Sequence, residues 1–258
     1  MAYAIAVAGK GGTGKTTLCG LLIDALCKEG RGPVLAVDAD ANSNLNEVMG
    51  VDAPITLGSL REDIKNAGAS DSVPASMTKQ DYLGAKFAEA LIEEPDYDML
   101  VMGRTQGTGC YCFVNSLLKT QLERLSKNYK YIVVDNEAGM EHLSRGVLPS
   151  VNLILIVSDC SLRGVQAAGR IRFLVDELGM KPDASRFIIN RAPEGGPGES
   201  VLREAEHFGL DLAGVVPHDP MIYDFDREGR PTVDLPRDSP ARSALFEIFA
   251  KVLPHGKR

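Results

Sequence analysis

The sequence predicts an α/β fold, a mainly parallel sheet flanked by helices on both faces. Three observations predict it. Apolar runs of strand length recur along the chain, helical patterns lie between most of them, and the first run passes through a glycine-rich turn into a helix. Strands that alternate with helices pair in parallel and need cover on both sides. The near-continuous apolar character of the runs fits strands buried on two faces.

The elements follow in order. Residues 3–8, Tyr-Ala-Ile-Ala-Val-Ala, are the first buried strand. Residues 16–29 place Leu18, Leu21, Leu22, Ala25 and Leu26 at helical spacing. Further strands are expected at 33–37, 98–102, 130–135, 151–157, 186–190 and 212–216, with helices at 80–94, 114–127, 162–179, 199–208 and 240–253. Residues 53–79 are mixed in charge and weakly periodic, and read as a surface excursion with short helices. Arg191 to Glu199 is rich in Pro and Gly and reads as a loop. No composition shift marks a boundary, so residues 1–258 are expected to form a single domain.

Composition narrows the class. Apolar residues make up 44% and charged residues 24% of the chain, the balance of a soluble globular protein. No run approaches the roughly 18 apolar residues of a membrane-crossing helix. The first strand starts at once, which leaves no room for a signal peptide, and cytoplasm is the expected location. A net charge of −7 argues against nucleic acid as a partner, since non-specific binding needs a basic surface.

The turn after the first strand reads Gly9-Lys10-Gly11-Gly12-Thr13-Gly14-Lys15-Thr16-Thr17. It fits the phosphate-loop pattern G-x-x-x-x-G-K-[ST] in its proper setting of strand, turn and helix. Glycines let successive N–H groups converge on phosphate oxygens, and the helix N-terminus adds partial positive charge. Lys15 is expected to reach the β- and γ-phosphates of ATP, and the Thr16 hydroxyl to bind Mg²⁺. Lys10 is more than this loop requires. Two later strands end in carboxylates, in Asp38-Ala39-Asp40-Ala41-Asn42 and in Asp135-Asn136-Glu137-Ala138-Gly139. In an open parallel sheet, strand C-termini are where ligands bind. Asp135 is expected as the Mg²⁺-side carboxylate, Gly139 as a backbone approach to the γ-phosphate, and Asp40 as the group that orients water. Asp38 and Asn42 also suit simple helix caps.

These residues resemble the deviant Walker A ATPases, the group that includes MinD, ParA and the nitrogenase iron protein. The likeness runs through the lysine-rich loop, Asp-x-Asp at 38–40 and Asp-x-x-x-Gly at 135–139, and covers essentially the whole chain. It implies a P-loop NTPase fold of the MinD-like kind and Mg²⁺-dependent hydrolysis of ATP to ADP and phosphate. It also implies that Lys10 crosses to the phosphates of a second copy, so that Lys10, Lys15 and Asp40 are catalytic and the protein is a homodimer when ATP is bound. The family reads adenine with an Asn after a late strand, which here is Asn190, followed by Arg191. Val215-Val216-Pro217 matches the segment beside the base.

A second feature is Gly109-Cys110-Tyr111-Cys112. An extended backbone points Cys110 and Cys112 the same way. Two thiolates are half of an S₄ site, and the same loop from a two-fold partner would supply the other half. Such a site admits Zn, Ni, Cu(I) or Fe–S, and two small buried hydrophobes are the plain alternative. Cys19, Cys27 and Cys160 are expected in the core. His142, His207, His218 and His255 show no ligand spacing.

Within the family three branches differ. The nitrogenase iron protein takes a cluster cysteine after its switch aspartate, and Asn136 to Arg145 has none. MinD-like proteins end in an amphipathic membrane helix. The stripe in Ser243–Leu253 could serve so, but core packing is the commoner meaning, and no stable membrane association is expected. Met102-Gly103-Arg104, the cysteine pair and Asp135 to His142 look like the CooC-type nickel-insertion ATPases. That resemblance implies an ATP- and metal-dependent dimer holding Ni²⁺ or Zn²⁺ at Cys110 and Cys112, with carbon monoxide dehydrogenase as client. The alternative is a MinD- or ParA-like positioning protein switched by ATP.

Overall fold

The computed structural model describes residues 2–60, 76–104, 119–120, 122–138 and 150–254. Cys110, Cys112, Gly139, His142 and His255 lie outside the described residues, as does part of the predicted helix 114–127.

The strands are β1 (Tyr3–Gly9), β2 (Val34–Asp38), β3 (Ile92–Glu93), β4 (Tyr97–Val101), β5 (Tyr131–Asp135), β6 (Leu153–Asp159), β7 (Ala184–Ala192) and β8 (Leu212–Pro217). The helices are α1 (Lys15–Lys28), α2 (Leu45–Met49), α3 (Lys79–Glu89), α4 (Leu162–Glu177), α5 (Glu199–His207), α6 (Pro220–Arg227) and α7 (Pro240–Val252). The strands make one sheet in the order β3-β4-β2-β5-β1-β6-β7-β8. All pairs are parallel except β3 with β4. The expected fold class is therefore the observed one.

Period-two alternation sorts the strand residues onto two faces. Ile5, Val7, Val133 and Leu155 pack with Leu18, Leu22 and Leu26 of α1 and with Leu245 and Phe249 of α7. Ala6, Ala8, Val134 and Ile156 pack on the other side with Val165 and Ala168 of α4 and Val201 of α5. Asp38 and Asp135 fall in phase with Ala36 and Val133, so both carboxylates turn to the α1 face.

Helix α7 is fixed at its N-terminal end. Ser239 caps it by accepting from the Arg242 N–H at 3.2 Å. Asp219 accepts from Met221 N–H at 3.0 Å, capping α6, and its other oxygen accepts from Ser239 Oγ at 2.5 Å and Ala241 N–H at 3.2 Å. One buried carboxylate thus serves two helix starts, each with Pro in its first turn. Arg242, itself buried, pairs with Asp24 of α1 at 3.1 Å. The apolar stripe of the tail is spent on the core through Ala241, Leu245, Ile248 and Phe249. Among the described residues no helix is long and apolar enough to cross a membrane.

The predicted helix 80–94 is shorter in the structure. It ends at Glu89, and the chain turns through Ile92–Glu93 and Pro95 into β4, with Glu94 N–H donating to Tyr97 O at 3.0 Å. Helix α2 has five residues, too few for a period to declare itself. The sequence reading also omitted α6, although Asp219-Pro220 is a cap followed by a first-turn proline. Strand β7 runs on to Ala192, so Arg191, expected to open the loop, lies within the strand beside Asn190.

Candidate nucleotide site

Register brings the strand ends together. Asp135 of β5 is the register partner of Val7 in β1 and of Asp38 in β2, Gly9 partners Val157 in β6, and Asp159 partners Asn190 in β7. The phosphate loop leaves β1 near the middle of this edge. A Cβ on Gly9 would lie 2.3 Å from the Val157 carbonyl oxygen, so the loop can start there only without a side chain. Gly12 and Gly14 take φ of 78° and 91°, which turn the chain back into α1. Gly14 offers α1 no side-chain cap, so first-turn N–H groups are left to face the loop's hollow. Gly11 and Gly12 are exposed on the loop's outer side, and Thr16 and Thr17 are half-buried at the start of α1.

The two lysines differ sharply. Lys15 is buried, and its ammonium donates to the Lys10 carbonyl at 3.3 Å. The buried Thr13 hydroxyl donates to the same oxygen at 2.9 Å. The Lys10 side chain is exposed. One lysine points into its own loop, and the other is exposed.

Behind Lys15 lie the carboxylates. Asp38 accepts from Asp40 N–H and from Leu45 N–H, both at 3.0 Å, and so holds the 38–45 segment closed. Burial pushes its carboxyl up to about 7, opposed by the Leu45 N–H and reinforced by the charge of Asp135. Burial likewise raises Asp135 to about 6, opposed by a hydrogen bond from Thr16 and the charge of Lys15. Asp135 Oδ1 and Asn136 Oδ1 are buried without a hydrogen-bond partner among the described residues. An ionised, unpartnered carboxylate oxygen beside a threonine hydroxyl and a lysine suits a hard dication with oxygen ligands. The Asp135 and Thr16 pair therefore fits Mg²⁺. Asp40 turns back on its own loop, its Oδ1 accepting from Asn42 N–H at 2.8 Å and Asn42 Nδ2 at 3.1 Å. Arg104, after β4, donates to Asn42. Sequence reasoning missed that link, and nothing in the local pattern could have signalled a contact 62 residues apart.

Beside the loop lies a cavity of about 300 Å³ lined by Gly14, Thr17, Asn190, Pro217, Asp219 and Tyr223, among others. Asn190 and Pro217, the residues that the resemblance assigns to the base, both line it. Asn190, however, spends its amide on the protein: Nδ2 donates to Thr13 O at 2.8 Å, and Oδ1 accepts from Arg191 N–H at 2.9 Å.

Of the three described cysteines, Cys19 lies in the core, and Cys27 and Cys160 are partly buried against it. Cys19 is fully buried against Asp135, and burial raises its thiol well above the usual range. Burial pushes half-buried Cys27 up to about 11 and raises Cys160 as well. None is an activated thiolate. Among the described residues no group of three or more His, Cys, Asp or Glu is placed to hold a metal.

A glycine-rich loop between a central buried strand and its helix, with carboxylates on the neighbouring strand end, defines a P-loop NTPase fold. The AAA_31 family model, described as an AAA domain, matches residues 2–181, and the chain belongs to that family. An uncharacterised ATP-binding protein of Methanocaldococcus jannaschii is 42% identical over 250 residues, 96% of this chain and 98% of that protein. The carbon monoxide dehydrogenase accessory protein CooC of Rhodospirillum rubrum is 34% identical over 262 residues, covering 96% and 95%. The cell division ATPase MinD of Pyrococcus furiosus shares the fold, with a TM-score of 0.70 at 23% identity and 98% of each chain covered.

Proposed function

We propose that this protein is an ATP-driven metallochaperone that dimerises on ATP and metal and helps insert nickel into carbon monoxide dehydrogenase. The observation that carries the reading is likeness to an accessory protein of that enzyme over nearly the full length of both chains. The Cys110 and Cys112 pair supports it by offering half of a soft-metal site.

In this reading Lys15 holds the β- and γ-phosphate oxygens, and the N–H groups of the loop orient them. Thr16 and Asp135 would hold Mg²⁺, which supplies charge neutralisation on the phosphates. Lys10, exposed on each copy, reaches the partner's phosphates and joins the two subunits. The cysteine pairs then meet on the two-fold axis and take up Ni²⁺ or Zn²⁺ as cargo. Asp40 releases its own loop and orients the attacking water. Loss of the γ-phosphate removes what Lys10 holds, and the dimer loosens. If ATP and metal each favour the dimer, each must favour the other's binding.

The test is transfer. Apo carbon monoxide dehydrogenase is incubated with nickel and this protein, with ATP or with a non-hydrolysable analogue. Activation that needs both the protein and hydrolysable ATP is expected. Activation that ignores the protein, or nucleotide, would refute the client assignment.

A further inference from the structure

The end of β7 grips the phosphate loop from outside. The pairing of β7 with β8 shifts register between Ile189 and Ala192, so Asn190 and Arg191 sit in a bulge. A bulge re-aims the side chains it carries. Arg191 has a φ of 56°, in the left-handed region that a residue with a Cβ enters at a cost. From there its guanidinium Nη1 donates to the Gly12 carbonyl at 3.0 Å, beside the Asn190 amide on the Thr13 carbonyl at 2.8 Å. A Cβ on Gly14 would come within 2.3 Å of Asn190 Nδ2, so the loop is glycine where the grip is tightest.

Two successive loop carbonyls are thus drawn toward β7. Each peptide unit is planar and trans, so a carbonyl pulled outward turns the N–H of the same unit the other way. The N–H groups of Thr13 and Gly14 are therefore turned to the concave side of the loop. Thr13 N–H already points inward, toward Lys10 O at a long 3.4 Å, a donor held loosely.

We infer that Arg191 is a positioning residue for the phosphate loop. Its guanidinium, aimed by a strained bulge, presets inward N–H donors for the phosphate chain of a nucleoside triphosphate and does not read the base. This role rests on the nucleotide reading above and adds a structural reason for the strain: a glycine would hold this backbone at less cost but could not reach Gly12.

The test separates phosphate from base. Wild type, Arg191→Ala, Arg191→Gly and Arg191→Lys are titrated by calorimetry with ATP, GTP and inorganic triphosphate, each with Mg²⁺, and each protein is melted. Arg191→Ala and Arg191→Gly are expected to lose about tenfold in affinity for ATP and for triphosphate alike, as a charge-assisted hydrogen bond would dictate. The ATP-to-GTP ratio stays fixed, Arg191→Lys recovers part of the loss, and Arg191→Gly melts no lower than wild type. A loss confined to ATP, with triphosphate binding intact, would make Arg191 a base reader and overturn the inference. So would variants that bind all three as wild type does. Wild-type protein that binds neither ATP nor triphosphate would instead overturn the nucleotide reading, and this role with it.

Discussion

Replacing Asp38 by Asn should remove a pH dependence that this carboxyl builds into the nucleotide-free fold. Asp38 is fully buried at the end of β2, side by side with Asp135. Burial raises it from 3.8 to about 7, against the pull of the Leu45 and Asp40 N–H groups, while the charges of Asp135 and Asp40 push it further up. A raised carboxyl keeps a proton in the folded chain that the unfolded chain has released. Stability is then highest below about pH 4 for this group and falls as pH rises toward about 7. At 1.36 kcal/mol per pH unit, the loss between pH 5 and pH 8 is on the order of 3 kcal/mol. Asp135, raised to about 6, adds in the same direction. Asn at position 38 carries no charge and keeps one acceptor, at a pH-independent cost of about 1 kcal/mol for the N–H left unmatched. Urea denaturation of both proteins at pH 5 and pH 8, without nucleotide, reads the difference. Wild type should lose more stability across that interval than the variant, which keeps only the share of Asp135. Parallel curves, or a wild type that gains stability with pH, would refute the reasoning.

Two further outcomes are expected. Gly9→Ala places a Cβ 2.3 Å from a backbone oxygen of β6 that cannot swing away, so it should cost roughly 1–3 kcal/mol or more in urea denaturation and weaken ATP binding with it. An alanine variant as stable as wild type would show that β1 and β6 can part there. Lys10→Ala removes an exposed side chain and should leave ATP affinity within about twofold while abolishing ATP-driven dimerisation in sedimentation, since exposed substitutions seldom change the fold. A normal ATP dimer of that variant would deny Lys10 its role.

The sheet was legible because parallel strands buried on both faces are runs of Val, Ile, Leu and Ala that no exposed segment would carry. Seven of the eight strands among the described residues announced themselves in that way. The two-residue β3 did not, since Ile92–Glu93 has no period of its own and depends on pairing with β4. The phosphate loop could be read residue by residue because its chemistry is made by backbone and needs glycines at fixed places. The grip of β7 on that loop could not. A bulge and a left-handed arginine arise from pairing with β8, and Arg191 reaches Gly12 across 179 residues. The double cap by Asp219 was half legible: Asp-Pro marks the start of α6, but Ser239 and Ala241 join it only in three dimensions.

The central claim is that ATP times the assembly of a metal site that one chain cannot complete. Equilibrium sedimentation with Ni²⁺, with and without ATP, tests it most directly when wild type is set beside the Cys110→Ala, Cys112→Ala double variant. The account predicts one tightly bound metal per two chains in an ATP-supported dimer, lost in the double variant while ATP still binds. One metal per single chain, or undiminished metal in the double variant, would contradict it.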